Sequence, residues 1–574
     1  MFRLFGYLKP YTGALFWVVV FLFAQSIAEL YLPTLMSDVV NNGMMKGDTG
    51  YIWKYGSYML LVALGSSICS VFGSYLSSVT GVGFGRDIRD KVFSHVESYS
   101  LHEFDKIGTA SLITRATNDI TQVQTVTVMG LRFMIFAPIM CIGGIIMAYS
   151  KDRELTLILA VVLPIMLLII WGVASLIVPL FRSMQAKLDR VSLVLRENLT
   201  GIRVIRAFNR LEKENERFKE ANLDLTDTSI KVNKIMAVMQ PVMIIMMNVT
   251  SIAIIWFGGY RIAQNNMQVG DMMAFIQYAT QVMFSIIMVT IMFVMVPRAQ
   301  ASAVRINEVM DIKPEIVDPP QGRKTSKEGN IEFRDVTFSY PGAELPAVKN
   351  ISFAACPGEV TAIIGGTGSG KSTLINLIPR FYDVDSGCVL VDGVDVRQME
   401  QKDLRAKIGF VPQTPILFSG TVSENIRYGK AGATEEEIIH AAEVAQASEF
   451  ISQMEGKYEA LISQGGTNLS GGQKQRLSIA RALVRRPGIY ILDDSFSALD
   501  FKTDALLRAA LKKETAASIV IIVAQRVGTV MDADRIIVLH AGEIVGMGKH
   551  KELLVTCAVY HEIVSSQLSE EEIA

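Results

Sequence analysis

Six long apolar stretches constrain this chain of 574 residues more than any other feature of its sequence. Each stretch is close to the roughly 20 residues that an α-helix needs to cross a bilayer. Their hydrophobic residues run continuously instead of alternating, which favours helices over the strands of a membrane barrel. We therefore predict six membrane-spanning helices, at about 14–36, 55–80, 130–149, 155–180, 237–262 and 272–297.

Basic residues between the apolar stretches predict their orientation. The second-to-third and fourth-to-fifth connections are long and rich in Lys and Arg, whereas the other connections are short and carry few. By the positive-inside rule we expect both long connections to lie in the cytoplasm. Both termini are then also cytoplasmic, in a protein of the plasma membrane. We expect their helices to extend beyond the bilayer and contact the soluble half near Phe104–Gly108 and Phe208–Glu220. The alternative is a solvated helical hairpin without a partner.

A few residues inside the apolar stretches are candidates for a substrate cavity. An ionisable group in a bilayer is costly and usually faces a polar cavity, but a group near the end of a span can also snorkel to the surface. The methionine-rich fifth and sixth stretches suit either a surface for many apolar ligands or ordinary helix packing. The candidates are Glu29, Arg132, Met243, Asn248 and Gln281.

The composition changes after about Pro314, from apolar stretches to a pattern typical of a soluble α/β protein. We predict a transmembrane domain at 1–312, a Pro- and Gly-containing linker at 313–330 and a soluble domain at 331–574. A net charge of −1 gives no electrostatic reason to expect nucleic-acid binding. The five scattered cysteines form no C-x-x-C pair, so nothing indicates a metal site or a disulfide framework.

A phosphate-binding loop is encoded at residues 365–373, between a β-branched run and a helical pattern. It matches G-x-x-x-x-G-K-[ST] in full, and its glycines let backbone N–H groups point at a phosphate chain. Lys371 adds a positive charge near the β- and γ-oxygens of ATP, and the Ser372 hydroxyl can bind Mg²⁺. The candidate ligands are Gly365, Thr367, Gly368, Ser369, Gly370, Lys371, Ser372 and Thr373.

Further motifs surround this loop in the soluble half. Tyr340 can stack on adenine, and Gln413 follows a strand where its amide can reach Mg²⁺ or an attacking water. Asp493 ends an apolar strand, which is the Walker B arrangement for holding Mg²⁺. The sequence LSGGQ at 469–473 opens a helix and forms a second anion cradle. The sequence SALD at 497–500 follows Asp493 closely.

Together these motifs resemble the half-transporters of the ATP-binding-cassette exporters, over essentially the whole chain. The resemblance implies a membrane α-helical domain of six spans, of the type IV exporter kind, followed by a cytosolic α/β P-loop nucleotide-binding domain with a helical subdomain. It also implies that two such domains meet head to tail, so that ATP lies between the phosphate loop of one and the LSGGQ of the other. The residues that would act in trans are Ser470, Gly471, Gly472, Gln473 and Asp500.

Two catalytic positions depart from the family pattern. The family places a glutamate after the Walker B aspartate, where this chain has Asp494, and a histidine after the last central strand, where it has Gln525. The shorter carboxylate is displaced by about 1.5 Å. It should lose most of the roughly 10²–10⁴-fold that a positioned base supplies. The chain therefore resembles the degenerate-site subunit of bacterial heterodimeric multidrug exporters, whose non-identical partner carries the competent site.

We accordingly expect an ATP-driven exporter of hydrophobic or amphipathic compounds that needs Mg²⁺ and a second, different half-transporter. This chain would contribute a slow ATP site and an intact LSGGQ. An exporter of lipid or peptide, an importer on the same fold, and an ATP-binding gating module without uphill transport remain alternatives, because a fold does not specify a substrate.

Overall fold

The computed structural model describes residues 1, 3–323 and 330–568, with the backbone alone at 293 and 294. Part of the predicted linker at 313–330 therefore lies outside the described residues. The chain forms two compact units. The first contains Met1–Glu97 and Thr109–Ile312, and the second contains Ser98–Gly108 and Lys313–Ala574.

The first unit is built from long helices. It begins with a 3₁₀ turn at Leu4–Tyr11, and short π-helical segments occur at Val39–Met44 and Arg115–Asp119. Its α-helices are α1 (Thr12–Asp38), α2 (Thr49–Glu97), α4 (Thr109–Thr114), α5 (Ile120–Lys151), α6 (Thr156–Thr200), α7 (Ile202–Ala207), α8 (Leu211–Ala263) and α9 (Val269–Asp311), whereas α3 (Leu101–Ile107) belongs to the second unit.

Six helical stretches of the described chain are long and apolar enough to cross a membrane, which confirms the predicted number of spans. These helices are much longer than the apolar stretches from which they were predicted. Helix α6, for example, ends at Thr200, some 20 residues or about 30 Å beyond the predicted end of its span.

The second unit is an α/β domain with two main sheets. Its strands are β1 (Ile331–Phe338), β2 (Val348–Ala355), β3 (Val360–Gly365), β4 (Ser386–Val391), β5 (Val394–Asp395), β6 (Ile408–Val411), β7 (Gly420–Thr421), β8 (Leu461–Ile462), β9 (Ile489–Asp493), β10 (Ile519–Val523), β11 (Arg535–His540) and β12 (Glu543–Gly548). Its helices after α3 are α10 (Lys371–Asn376), α11 (Gln401–Ala406), α12 (Val422–Arg427), α13 (Glu435–Val444), α14 (Ser448–Gln453), α15 (Gly471–Leu483), α16 (Phe501–Glu514), α17 (Val527–Val530), α18 (His550–Thr556) and α19 (Ala558–Ser565).

The larger sheet positions the candidate site. Its order is β12-β11-β3-β10-β9-β6, in which all pairs except β11 with β12 are parallel. The smaller sheet, in the order β2-β1-β4-β5, is antiparallel. Because the carboxyl ends of parallel strands meet at one edge, the loops after β3, β6, β9 and β10 converge there.

Both faces of the central strands are buried, which explains their continuous apolar sequences. Along β10, Val520 and Ile522 join the core that faces the helices, while Ile519, Ile521 and Val523 join the core that also contains the smaller sheet. The alternation follows the two-residue period of a strand.

Helix α16 offers a matched test of core packing, because Leu507 is fully buried while its neighbour Leu506 is 50% exposed. Leu507→Ala removes buried methyl groups and should cost about 2–5 kcal/mol of local stability. Leu506→Ala should cost less than about 1 kcal/mol, because half of its surface already meets water. Hydrogen exchange of the β9 and β10 amides measures the loss of local stability in each variant. Equal effects of the two substitutions would contradict this account of the core.

Candidate nucleotide-binding site

Two glycines of the loop after β3 are required by close backbone approaches. Gly370 has φ +93°, and a Cβ there would lie 2.5 Å from the Ala347 carbonyl oxygen. A Cβ at Gly365 would lie 2.2 Å from the Leu539 carbonyl oxygen. Both approaches are far closer than van der Waals contact, so the loop curls tightly because these positions have no side chain.

Lys371 lies inside this curl. Its Nζ donates hydrogen bonds to the carbonyl oxygens of Gly365, at 2.9 Å, and Gly366, at 2.7 Å. Burial lowers the pKa of Lys371, and the nearby Asp493 and Asp494 carboxylates oppose that shift.

The loop residues also include an unused donor. The Ser369 hydroxyl is buried and has no hydrogen-bond partner within the described chain, while Thr367 and Gly368 form an exposed turn beside it. An unpartnered buried hydroxyl is costly. Its position in a curl of backbone amides next to a lysine fits a bound phosphate oxygen.

Tyr340 lies beside the far end of the loop. Its hydroxyl is 3.1 Å from the Thr373 hydroxyl, and its ring packs edge-on against Phe338 and Tyr382. Burial, with smaller contributions from Tyr340 and Asp105, raises the pKa of Tyr382 to about 12. Tyr340 itself is 38% exposed, so part of its ring remains open to a planar ligand.

A hydroxyl and a carboxylate meet where β9 ends. The Ser372 hydroxyl donates to Asp493 Oδ1 at 3.2 Å. Burial raises the pKa of Asp493, and the hydrogen bond from Ser372 opposes the rise. Two oxygens at this separation are the type of ligand that Mg²⁺ prefers.

Asp494 and Gln525, the two positions that family resemblance predicts to be altered, contact each other. Gln525 Nε2 donates to Asp494 Oδ2 at 3.3 Å. The Asp494 backbone has φ +45°, and its N–H donates to the Val523 carbonyl oxygen. Burial raises the pKa of Asp494, opposed by a hydrogen bond from Gln413 and by the charges of Lys371 and Arg526. The structure thus brings Gln413, Asp494 and Gln525 together.

The LSGGQ segment is held by its own helix cap. The Ser470 hydroxyl accepts from the Gln473 N–H at 3.3 Å, and the Gln473 side chain accepts from the Ser470 N–H at 2.8 Å. A Cβ at Gly472 would lie 2.9 Å from the Ala498 carbonyl oxygen, so this glycine lets the SALD turn approach the helix. Gly471 is exposed. Asp500 caps α16 by accepting from the Thr503 N–H at 3.0 Å.

Both halves of the chain match known family models. Residues 15–286 match the ABC transporter transmembrane region, and residues 348–497 match the ABC transporter model. The chain belongs to the ABC transporter family. Its order of a six-span membrane domain followed by an ABC ATPase domain is that of an exporter half-transporter, and it is a multi-pass membrane protein.

Relatives along nearly the full length support this assignment. The chain is 42% identical to an uncharacterised ABC transporter ATP-binding protein of Mycobacterium tuberculosis over 566 residues, which are 98% of this chain and 97% of the relative. It is 33% identical to an ATP-dependent lipid A-core flippase of Syntrophus aciditrophicus over 516 residues, 90% of this chain and 86% of the flippase. Its fold is similar to that of a bacterial Atm1-family ABC exporter with ATP bound, with a TM-score of 0.80, 23% identity, and coverage of 98% and 99% of the two chains.

In this ABC transporter chain, three side chains that the sequence motifs did not single out connect the site. Gln475 is buried, its Nε2 lies 3.5 Å from both the Asp494 carbonyl and the Ser497 hydroxyl, and its Oε1 accepts from the Ala498 N–H. Arg526 donates to the Ser497 carbonyl at 3.0 Å. Gln475 lies two residues after LSGGQ and Arg526 directly follows Gln525, and that proximity is the available signal.

The third is Gln567, which follows α19 and clamps the backbone on either side of Arg526. Its Nε2 donates to the Gln525 carbonyl at 2.8 Å, and its Oε1 accepts from the Val527 N–H at 2.9 Å. No sequence pattern indicates this contact, because the two segments are more than forty residues apart.

The substrate-cavity candidates lie in the first unit and do not all cluster. Gln281 Nε2 donates to the Glu29 carbonyl at 3.3 Å, so these two residues are neighbours. Met243 is instead buried in packing that includes Met166 and Met283. The Arg132 guanidinium lies 6.0 Å from the centre of the Phe133 ring, and Asn248 is exposed.

The clamp predicts a measurable change in this ABC transporter. Gln567→Leu removes both hydrogen bonds of the clamp. It should accelerate exchange of the Val527 amide at least about 2- to 10-fold, because the bond that this amide itself donates is worth about 0.5–1.5 kcal/mol. Gln567→Glu keeps the acceptor and should retain most protection. Ser566→Ala, which removes a bond only to its own helix, is the matched control. Unchanged exchange in Gln567→Leu would show that the clamp does not hold this segment.

Proposed function

We propose that this chain is the degenerate-site half of a heterodimeric ABC exporter. ATP drives efflux of hydrophobic or amphipathic compounds across the plasma membrane, with the nucleotide-binding domain and both termini in the cytoplasm. The observation that carries the proposal is the pairing of Asp494 with Gln525 at 3.3 Å. In family members with a competent site, these positions hold a glutamate and a histidine.

The pairing supports slow hydrolysis for two reasons. The Asp494 carboxylate is one methylene shorter than glutamate, so it lies about 1.5 Å further from a water that a glutamate would polarise. Gln525 is a neutral amide whose donor is engaged by Asp494. It can hydrogen-bond to a phosphate but cannot place a positive charge there.

The remaining residues support binding of the nucleotide. Lys371, the amides of the curled loop and the Ser369 hydroxyl hold the phosphates, and Tyr340 stacks on the adenine. Ser372, Asp493 and Gln413 hold Mg²⁺. When bound here, Mg-ATP supplies the phosphate groups that these residues hold, and it is hydrolysed only slowly. The outcome is a pocket that stays occupied and keeps the two nucleotide domains together.

The LSGGQ segment and Asp500 serve the other site of the assembly. Ser470, Gly471, Gly472 and Gln473 match the family motif without a change. They complete the pocket of a non-identical partner that carries its own glutamate and histidine. Hydrolysis in that pocket provides the power for transport, and closure of the nucleotide domains switches the access of the membrane cavity.

Lipid export is the second candidate, favoured by the relative described as a lipid A-core flippase. An ATP-binding gating module is a further alternative. Uptake into inverted vesicles against a gradient, dependent on ATP and the partner, separates a pump from a gating module. Fluorescent lipid analogues and soluble amphipathic dyes, compared in the same vesicles, separate the two substrate classes.

Restoring the catalytic pair should restore turnover. Asp494→Glu combined with Gln525→His should raise phosphate release at least about tenfold in nanodiscs that each hold two copies of the purified chain, so that the LSGGQ of one copy can complete the site of the other, because a positioned base supplies about 10²–10⁴-fold. Leu506→Ala, remote from the pair, serves as the control. Rapid hydrolysis by the unmodified chain alone, or no gain in the double variant at saturating ATP, contradicts the degenerate assignment.

The two-chain assembly should respond asymmetrically to changes in this chain. Ser470→Ala should lower the ATPase rate of the two-chain assembly at least about tenfold, since an oriented hydrogen-bond donor at a phosphate is worth about 2.7–4 kcal/mol. Asp494→Asn should change that rate less than about twofold. Because Ser470 also caps a helix, Thr434→Ala, which removes an equivalent cap from α13, is the matched control. Equal losses from Ser470→Ala and Asp494→Asn would indicate two equivalent sites.

A further inference from the structure

Four polar side chains lie along the contact between α1 and α9, within the apolar spans. We call Gln25 and Glu29 of α1 with Gln277 and Gln281 of α9 the seam stripe. Each pair is four residues apart and therefore shares one helix face. Gln25 Nε2 donates to Glu29 Oε1 at 2.8 Å, and Gln281 Nε2 donates to the Glu29 carbonyl at 3.3 Å. None of the four is fully buried in the structure.

A proline explains why the two helices are joined here. Pro33 has no N–H, so the carbonyl of Glu29, four residues earlier, loses its intrahelical donor. Gln281 supplies the missing donor. One residue further on, the Tyr278 hydroxyl donates to the Leu30 carbonyl at 3.0 Å. In a bilayer each such backbone group must find a protein partner, so α9 is fixed against α1 at this point.

The same bond leaves an acceptor unused. With its Nε2 engaged by the Glu29 carbonyl, Gln281 presents Oε1, which is buried and has no hydrogen-bond partner in the described part of the chain. A buried amide oxygen without a donor costs about 1–3 kcal/mol. This atom therefore points to a donor that belongs to a ligand.

The second feature is the charge of Glu29, which no neighbouring cation among the described residues balances. Among the described residues its carboxylate has Gln25 as hydrogen-bond partner and no basic side chain as ion-pair partner. The helix end at Asp38 is nine residues away, or about 13 Å at 1.5 Å per residue. A glutamate side chain reaches only roughly 4 Å from its Cα. Snorkelling therefore does not remove the charge from the membrane, and a cation is the expected partner.

We propose that the seam stripe is a binding site for a cationic amphipathic molecule, a protonated amine attached to an apolar body. The Glu29 carboxylate neutralises its charge and Gln281 Oε1 accepts one of its N–H groups. An ammonium group has only donors, which matches the two acceptors argued to be available here, the Glu29 carboxylate and Gln281 Oε1. This assignment rests on the proposed export function and narrows its substrate class.

Binding without nucleotide tests the site independently of transport. The full chain in phosphatidylcholine nanodiscs is titrated calorimetrically with dodecylammonium and with its neutral counterpart dodecanol, and empty nanodiscs are subtracted. The ammonium should bind at least about tenfold more tightly. Glu29→Gln, which keeps the shape, should remove most of that preference. Equal binding of the two probes, or an undiminished preference in Glu29→Gln, would overturn the proposal.

Three further variants separate recognition from folding. Glu29→Asp keeps the charge and should retain a preference for the ammonium. Gln281→Leu should weaken dodecylammonium binding severalfold while leaving dodecanol unchanged, and a parallel loss for both probes would count against the role of Oε1. Glu220→Gln changes an exposed carboxylate of α8 outside the spans and should have no effect. An equal loss of preference in Glu220→Gln would assign the effect to surface charge and overturn the site.

Transport with the partner distinguishes the two proposals. If the assembly pumps amphipathic dyes with ATP but treats amines and alcohols alike, the cation site is wrong and the export function stands. If the chain binds dodecylammonium through Glu29 but no ATP-dependent uptake occurs, the export function is wrong and the binding site stands.

Discussion

The parallel sheet of the second unit is the constraint on which the site depends. Strands β3, β6, β9 and β10 are buried on both faces, so their polar neighbours are confined to the strand ends. Their carboxyl ends deliver the phosphate loop, Gln413, Asp493 with Asp494, and Gln525 to a single edge. The site exists because the register of these strands, such as Val523 beside Asp493, is fixed by packing on both sides.

Within that edge, Asp494 and Gln525 are the two positions that family resemblance predicts to differ from the family pattern. The two substitutions are thirty-one residues apart in the sequence, yet their side chains share a hydrogen bond. The two side chains therefore belong to one local environment, although the chain separates them widely.

In the membrane unit, too, side chains that are far apart in the sequence are joined by hydrogen bonds. Pro33 removes a single N–H, and in an apolar environment the Glu29 carbonyl that this frees takes its donor from Gln281 of a different helix. The Tyr278 hydroxyl adds a second bond between the same helices, to the Leu30 carbonyl. Gly143 allows Leu30 to pack closely against α5 at the same level, since a Cβ there would lie 2.4 Å from the Leu30 side chain. Gly144 does the same for Val282 of α9, since a Cβ there would lie 2.6 Å from the Val282 side chain. Polar bonding and close packing together fix α1.

The sequence by itself determined the six spans, the α/β class of the second unit and the phosphate loop, because apolar length and glycine spacing act locally. It also identified Asp494 and Gln525 as departures, through family resemblance. Only the tertiary structure decided that these two side chains touch, that Gln567 clamps the segment beside them, and that Ser98–Gly108 belongs to the second unit. It also showed that Met243 packs in a core, whereas Glu29 and Gln281 contact each other. Such contacts join residues far apart in the chain, and local patterns carry no information about which distant side chain will supply a missing partner.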